Sequence, residues 1–211
     1  MHTAHAASLL ALACAAASAS VVDRAQVTLG ALSDAAHGVA QVTVRSVEPG
    51  RVQLRVDDAL KGRLGPELWL PRGGARLAWT TGEVWLVFLA HDGAGWRPLS
   101  SEWHRVPQGG AELAAAVRSR LPRLEGTVGE LQAALFAQLG SPQARVAADA
   151  AYDLLAFRAL DPTAGELGEL RLALERAPSP ELFRLCARIA HPALTGSVLS
   201  AARRVGARDV S

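Results

Sequence analysis

Two histidines and two acidic residues near the middle of the chain are of types that support metal-assisted hydrolysis. His91 and Asp92 follow an apolar run, and Glu102 and His104 come shortly afterwards. Imidazole and carboxylate groups bind Zn²⁺, which activates a bound water molecule as a nucleophile. Their spacing matches no ligand motif such as His-Glu-x-x-His, so a solvated turn with surface side chains is the favoured interpretation. We predict no metal ion or other cofactor, and a metal-assisted hydrolase stays an alternative.

The tryptophans are the second group with a possible chemical role, since all five fall between residues 69 and 103. Exposed indole rings stack on sugars or bases, whereas buried rings fill a core. Trp85 lies in the most apolar run and is predicted to be buried, and Trp69 alternates with two leucines and should face away from them. Trp79, beside a polar Thr-Thr-Gly stretch, is the ring that we expect to be exposed. Trp79 and Trp103 are the predicted binding residues.

No other motif in the sequence supplies a catalytic residue. The chain contains no Gly-x-Ser-x-Gly elbow, phosphate-binding loop or dinucleotide fingerprint. Cys186 falls on the apolar face of a predicted helix, where a buried, unreactive thiol is expected. The net charge is +2, and basic and acidic residues are mixed along the whole chain, so nothing favours binding to nucleic acid.

Residues 1–20 are predicted to be a signal peptide. They have no acidic residue, an apolar stretch and small residues suited to cleavage after Ala19 or Ser20, although no lysine or arginine precedes the apolar stretch. Cys14 follows Leu-Ala, as in a lipoprotein signal, so acylation at Cys14 is an alternative to removal with the peptide. We expect export to the periplasm, the cell envelope or the medium, with membrane attachment only if Cys14 is acylated.

Residues 21–108 are predicted to form a β domain. Residues 21–36 are ambiguous between a short strand and a linker. The alternation through Val52, Leu54 and Val56 predicts a hairpin that has one solvent-exposed face and turns at Pro49-Gly50. The stretch from Glu67 predicts a third strand.

A seven-residue apolar run, residues 84–90, is too short to cross a bilayer, which needs about 20 residues. Its β-branched and aromatic residues predict a strand that is covered on both faces, with helices later in the chain as the second cover. Residues 95–106 then predict a final pair of strands or one bent strand.

Residues 109–211 are predicted to be helical, because capping signals recur along them. Thr127 and Glu130 form a capping box, and each Ser-Pro or Asp-Pro pair places an N-cap residue before a proline at the first helical position. On the third helix, Arg145, Asp149 and Asp153 fall on one stripe at a spacing of four residues. The predicted helices span residues 111–121, 128–139, 142–159, 162–177, 180–190 and 193–205.

Two segments resemble known families. The hairpin, Leu60-Lys61-Gly62 and Gly82–Leu89 follow one another in an order similar to exported bacterial domains with a five-stranded OB-type barrel of the netrin and metalloproteinase-inhibitor kind. That resemblance implies a β-barrel; it does not imply protease inhibition, because the family's N-terminal cysteine and disulfides have no counterpart after cleavage at residue 19 or 20. The helical half resembles HEAT repeats over residues 127–206, where Ser141-Pro142 and Ser179-Pro180 each open a helix 38 residues apart.

We therefore predict an α+β protein with an N-terminal five-stranded OB-like β-barrel followed by HEAT-like α-helical hairpins. The predicted function is that of an exported, non-catalytic protein that binds another protein. Binding of an extracellular glycan through an exposed tryptophan and metal-assisted hydrolysis are the two alternatives.

Overall fold

The structure is a computed structural model, which divides the chain into two compact units. One unit spans Leu29–Glu125, and the other contains Thr28 and Gly126–Ser211. The division differs from the sequence-based boundary at residue 108 because the helix that begins at Gly110 contacts the sheet. The described residues are 28–72, 79–93, 95–99, 110–121 and 126–208.

The first unit contains a five-stranded antiparallel sheet with the strand order β3-β2-β1-β4-β5. The predicted hairpin is confirmed, and Gly50, with φ +86°, lies in its turn. A left-handed residue in a tight turn suits glycine because a Cβ atom would be strained there. The strands are β1 Gly38–Glu48, β2 Arg51–Lys61, β3 Glu67–Pro71, β4 Val84–His91 and β5 Trp96–Pro98.

Alternating side chains give the sheet one buried and one polar face over β2 and β3. Val52 and Leu54 are buried and pack with Leu68 and Leu70 of β3, whereas the residues between them face outward. The predicted solvent-exposed face of the hairpin is therefore confirmed, since successive residues of a strand point to opposite sides.

Strand β4 is covered on both faces, as predicted. Trp85 packs in the core cluster of the sheet, and Leu86 and Phe88, which point the other way, are also buried. Two helices contact β4 and each other: α1, Leu29–Ala35, and α2, Gly110–Arg120. Helix α2 follows the sheet in the chain, as predicted for the helices that cover the second face of β4. Helix α1 precedes the sheet, which the sequence did not indicate.

Helix α1 corrects the ambiguous assignment of residues 21–36, because its described part is helical rather than a strand or linker. The chain's only lysine secures the end of this helix: Lys61 donates from Nζ to the carbonyls of Ser33 at 2.7 Å and Asp34 at 3.3 Å. These carbonyls lie in the last turn, which lacks acceptor partners within the helix. Lys61 thus has a local structural role at the end of α1.

The expected five-stranded barrel is not closed. Strands β3 and β5 are the two edges of the sheet, and although they approach each other, no ladder joins them in the described residues. Strand β5 has only three residues, and Pro71 and Pro98 end the two edge strands. Proline has no N–H to donate, so these ends lack groups that a closing ladder needs.

The second unit contains five described α-helices, and their starts lie within two residues of the predicted positions. Thr127 forms the predicted capping box with Glu130, and Ser179 caps the helix that begins at Pro180. Three predicted starts shift by two residues, because Gln143 and Thr163 are the N-cap residues in place of Ser141 and Asp161, and a short 3-10 helix precedes the last α-helix. The helix predicted over residues 142–159 ends at Leu154, five residues early. The helices are α3 Val128–Leu139, α4 Ala144–Leu154, α5 Ala164–Arg176, α6 Pro180–Ile189 and α7 Thr195–Arg208.

These five helices stack in two layers. Helices α3, α5 and α7 contact one another in sequence, and so do α4 and α6, while α3 contacts α4 and α5 contacts α6 within each hairpin. One hydrophobic core runs through all five helices. Across the described residues, no helix combines the length and apolar composition needed to cross a membrane.

Three arginines link helices of the same layer. Each guanidinium donates to backbone carbonyls near the C-terminal end of the helix two places earlier, where helical carbonyls lack partners. These hydrogen bonds join each helix to the C-terminal end of the preceding helix in the same layer. The pairs are Arg176 with Gly140 after α3, Arg188 with Leu155, Phe157 and Arg158 after α4, and Arg204 with Leu174 and Glu175 of α5.

Candidate functional site

The two described histidines of the sheet unit, His37 and His91, make backbone contacts. His37 accepts a hydrogen bond at Nδ1 from the His91 N–H at 3.1 Å, and His91 accepts at Nδ1 from the Gly93 N–H at 3.3 Å. Asp92 forms an ion pair with Arg97 at 3.2 Å. No three His, Cys, Asp or Glu side chains come together as a possible metal site among the residues described.

Glu102 and His104, the other members of the metal hypothesis, lie outside the described residues, as does Trp103. The proposed convergence of these side chains with His91 and Asp92 is therefore an untested prediction.

Trp79 is buried, so the expected exposure of its ring is wrong. Only 6 % of Trp79 is accessible to solvent. Its ring stacks on Trp85 with centroids 4.1 Å apart, and its Nε1 donates to the Arg72 carbonyl at 3.2 Å. Stacking and a satisfied N–H explain why this loop residue turns inward. A ligand-stacking role for Trp79 loses its physical basis.

Trp69 is the exposed tryptophan ring on β3, with 41 % of its surface accessible. It faces away from its two leucine neighbours, as its alternation predicts. The Arg51 guanidinium carbon lies 4.1 Å from the ring centroid, and Arg51 also pairs with Glu48 at 2.7 Å. This cation–π contact fixes the ring against the sheet while leaving part of it open to solvent.

Hydrogen bonds order the polar side chains around Trp69. Its cross-strand partner is Gln53, whose amide donates to Glu67 at 3.2 Å and accepts from the Ser46 hydroxyl at 3.3 Å. We call this surface the Trp69 face; it comprises Trp69, Glu48, Arg51, Gln53, Glu67 and Ser46.

A second ordered group continues this polar surface across β2 and β1. Arg55 pairs with Asp57 at 2.6 Å and donates to the Thr43 hydroxyl at 3.2 Å, and Thr43 donates to Asp57 at 2.5 Å. Both arginines of the two groups, Arg51 and Arg55, are paired with carboxylates. The surface therefore holds donors and acceptors in fixed positions with little net charge.

In the helical unit, a buried ion pair lies within α4. Arg145 donates from Nε to both carboxylate oxygens of Asp149, at 2.7 and 2.8 Å, as the spacing of four residues predicts. Asp149 is only 3 % exposed, which the sequence stripe did not indicate. A buried carboxylate requires such partners because loss of hydration is costly. Asp153 of the same helix accepts a hydrogen bond from Thr28 at 2.9 Å.

The layer formed by α4 and α6 presents two side chains of a kind suited to binding. Tyr152 of α4 is 38 % exposed, and Arg184 of α6 is also exposed, opposite the buried face that contains Cys186. Tyrosine and arginine are enriched at positions that dominate the energy of protein–protein binding. Cys186 is buried, as predicted.

The sequence-based prediction of the binding residues missed two features of the Trp69 face. The alternation around Trp69 correctly indicated an outward ring, yet the site was assigned to Trp79, which lies in a loop where no periodicity indicates burial. The pairing of Arg51 with Trp69 depends on strand register, which Pro49-Gly50 and the matching alternation of β2 and β3 could have suggested.

The described residues define a two-unit α+β protein with an antiparallel sheet and a two-layer helical stack. Comparison with protein-family models, with curated proteins and with solved structures gave no match. The arrangement of side chains is thus the basis for inferring function.

Proposed function

We propose that this chain is an exported protein that binds another protein through its helical unit and carries out no catalysis itself. The observation that carries the proposal is the two-layer stack of α3 to α7, in which helices contact the helix two places away. Such stacking is typical of HEAT-like arrays, whose extended surfaces serve in protein binding. We propose that residues 127–206 form an array of this kind.

The binding surface in this proposal is the exposed side of α4 and α6. Both helices turn their large apolar residues into the common core, so Tyr152 and Arg184 remain available to a partner. A tyrosine offers a broad contact area with little loss of side-chain entropy, and a guanidinium offers several donors. This combination favours a folded protein surface over a nucleic acid, which would require a cluster of unpaired basic residues.

Replacing Tyr152 with alanine or Arg184 with glutamate is expected to weaken partner capture by about tenfold or more, since each change removes a central contact. The measurement is affinity purification of the tagged full-length chain from envelope extract and culture medium, with quantitative mass spectrometry of the bound proteins.

The matched control is Leu172→Ala, because Leu172 is an exposed apolar residue of α5, in the other layer. Capture should persist in this variant, and the thermal unfolding of all three variants should stay near that of the wild type. Equal capture by every variant, or enrichment of no protein over an untagged control, would contradict the proposal.

Export is tested separately by the mass of the mature chain. Cleavage after Ala19 or Ser20 removes the first 19 or 20 residues, whereas lipoprotein processing leaves an acylated Cys14. We expect one of these products outside the cytoplasm of the expressing bacterium. A full-length chain retained in the cytoplasm would exclude export, and Cys14→Ser distinguishes the two products because it abolishes acylation alone.

A further inference from the structure

We propose that the Trp69 face is a binding site for an uncharged polysaccharide. The exposed indole provides an apolar, electron-rich surface of the kind that packs against the C–H groups of a pyranose ring. Arg51 lies against the same ring and limits its motion, so little side-chain entropy remains to be lost on binding. The site lies in the sheet unit and is independent of the helical surface proposed for protein binding.

The polar groups beside Trp69 match the hydroxyl groups of a sugar. Gln53, Glu67 and Ser46 already form a hydrogen-bonded row next to the ring. Amide, carboxylate and hydroxyl groups together donate and accept, and each sugar hydroxyl also does both. Because neighbouring strands lie about 4.8 Å apart, the row offers hydrogen-bonding groups at intervals comparable with the width of a hexose ring.

The charge of the surface selects an uncharged polymer over an anionic one. Arg51 is paired with Glu48 and Arg55 with Asp57, while Glu67 adds a further negative charge. An anionic glycan, a nucleic acid or an acidic lipid headgroup would find both of these arginines already paired with carboxylates and would be repelled by Glu67. A neutral ligand incurs no such repulsion, and its binding does not depend on the release of counterions.

The surroundings of Trp69 also disfavour a protein partner at this site. The hot spots of protein interfaces lie in well-packed, water-excluding surroundings. Here the same-face neighbours of the ring are charged or polar apart from Pro71, and Val84, the other large exposed apolar side chain of the sheet, lies on β4, separated from β3 by two strands. A ring isolated among ordered polar groups is better suited to a sugar than to an apolar protein patch.

The test is affinity electrophoresis of the full chain through gels that contain a soluble neutral polysaccharide, with tryptophan fluorescence titration as a second readout. The probes are hydroxyethyl cellulose, xylan, mannan and glycol chitin, with heparin and alginate as anionic controls. The wild type is expected to be retarded by at least one neutral polymer and by neither anionic one. Trp69→Ala should weaken this binding by about tenfold or more, and Trp69→Phe by less, since it keeps a stacking surface.

The matched control is Val84→Ala, because Val84 is as exposed as Trp69, at 41 %, and is also apolar. Its binding should equal that of the wild type, which separates stacking at Trp69 from loss of exposed apolar area. Failure of the wild type to bind any neutral polymer, preferential binding to heparin or alginate, or undiminished binding by Trp69→Ala would overturn the proposal. Loss of protein capture by Tyr152→Ala would be unaffected by any of these results.

Discussion

Gly62→Ala is expected to destabilise the sheet unit by about 3 kcal/mol. Gly62 has φ +79°, which a Cβ atom strains, and an added Cβ would lie 2.5 Å from the carbonyl oxygen of His37. The obstructing atom belongs to the backbone, so it moves only if β1 or the end of α1 shifts. Urea unfolding followed by tryptophan fluorescence measures the loss, because all five tryptophans lie within the sheet unit.

Gly50→Ala separates the two causes of this loss. Gly50 has a similar φ of +86°, yet nothing lies within 4 Å of an added Cβ. This variant should lose only the conformational part, about 1 kcal/mol. For a unit of this size, the Gly62 variant should melt about 15 °C lower than the wild type. Equal losses for the two variants would show that the close approach of residue 62 to His37 is absent in solution.

Arg145→Met is expected to destabilise the helical unit by about 3 kcal/mol. Methionine retains much of the apolar side-chain volume, but the buried Asp149 carboxylate loses the guanidinium that binds both of its oxygens. The carboxylate then lies in a poorly hydrated site without its principal counterion. Urea unfolding followed by circular dichroism at 222 nm is the appropriate measurement, because the helical unit contains no tryptophan.

Adding Asp149→Asn to Arg145→Met tests whether the buried charge is the cause. The double variant carries no negative charge at position 149 and should recover about 1 kcal/mol or more of the loss. Arg171→Met, at an exposed position on α5, is the matched control and should change stability by less than about 0.5 kcal/mol. Additive losses in the double variant would mean that Asp149 acts through hydrogen bonds that an amide replaces poorly.

The buried state of Asp149 illustrates a limit of local patterns. Spacing of four residues correctly placed Asp149 on the same side of the helix as Arg145, because that geometry depends only on the helix. Whether the stripe faces water depends on the stacking of α4 against α3 and α6, and these contacts involve residues that are distant in the chain. The same holds for α1, a seven-residue helix that depends on contacts with α2 and β4.

Trp69 and Trp79 show the same difference between what a local pattern indicates and what tertiary contacts decide. Trp69 lies in a strand, so alternation with its leucine neighbours determined the side on which the ring lies. Trp79 lies in a loop, where its position beside polar residues suggested exposure. Its burial results from stacking on Trp85 of β4, a contact that exists only once the loop has folded over the sheet.

By itself, the sequence determined the α+β order, the strand alternation and the starts of the predicted helices to within two residues, because periodicity and capping act between near neighbours. The tertiary structure decided that the sheet stays open, that Asp149 and Trp79 are buried, and that Trp69 stands beside Arg51 and Gln53. These outcomes depend on contacts between side chains that are distant in the chain and that exclude water, and a pattern of nearby residues does not specify such contacts.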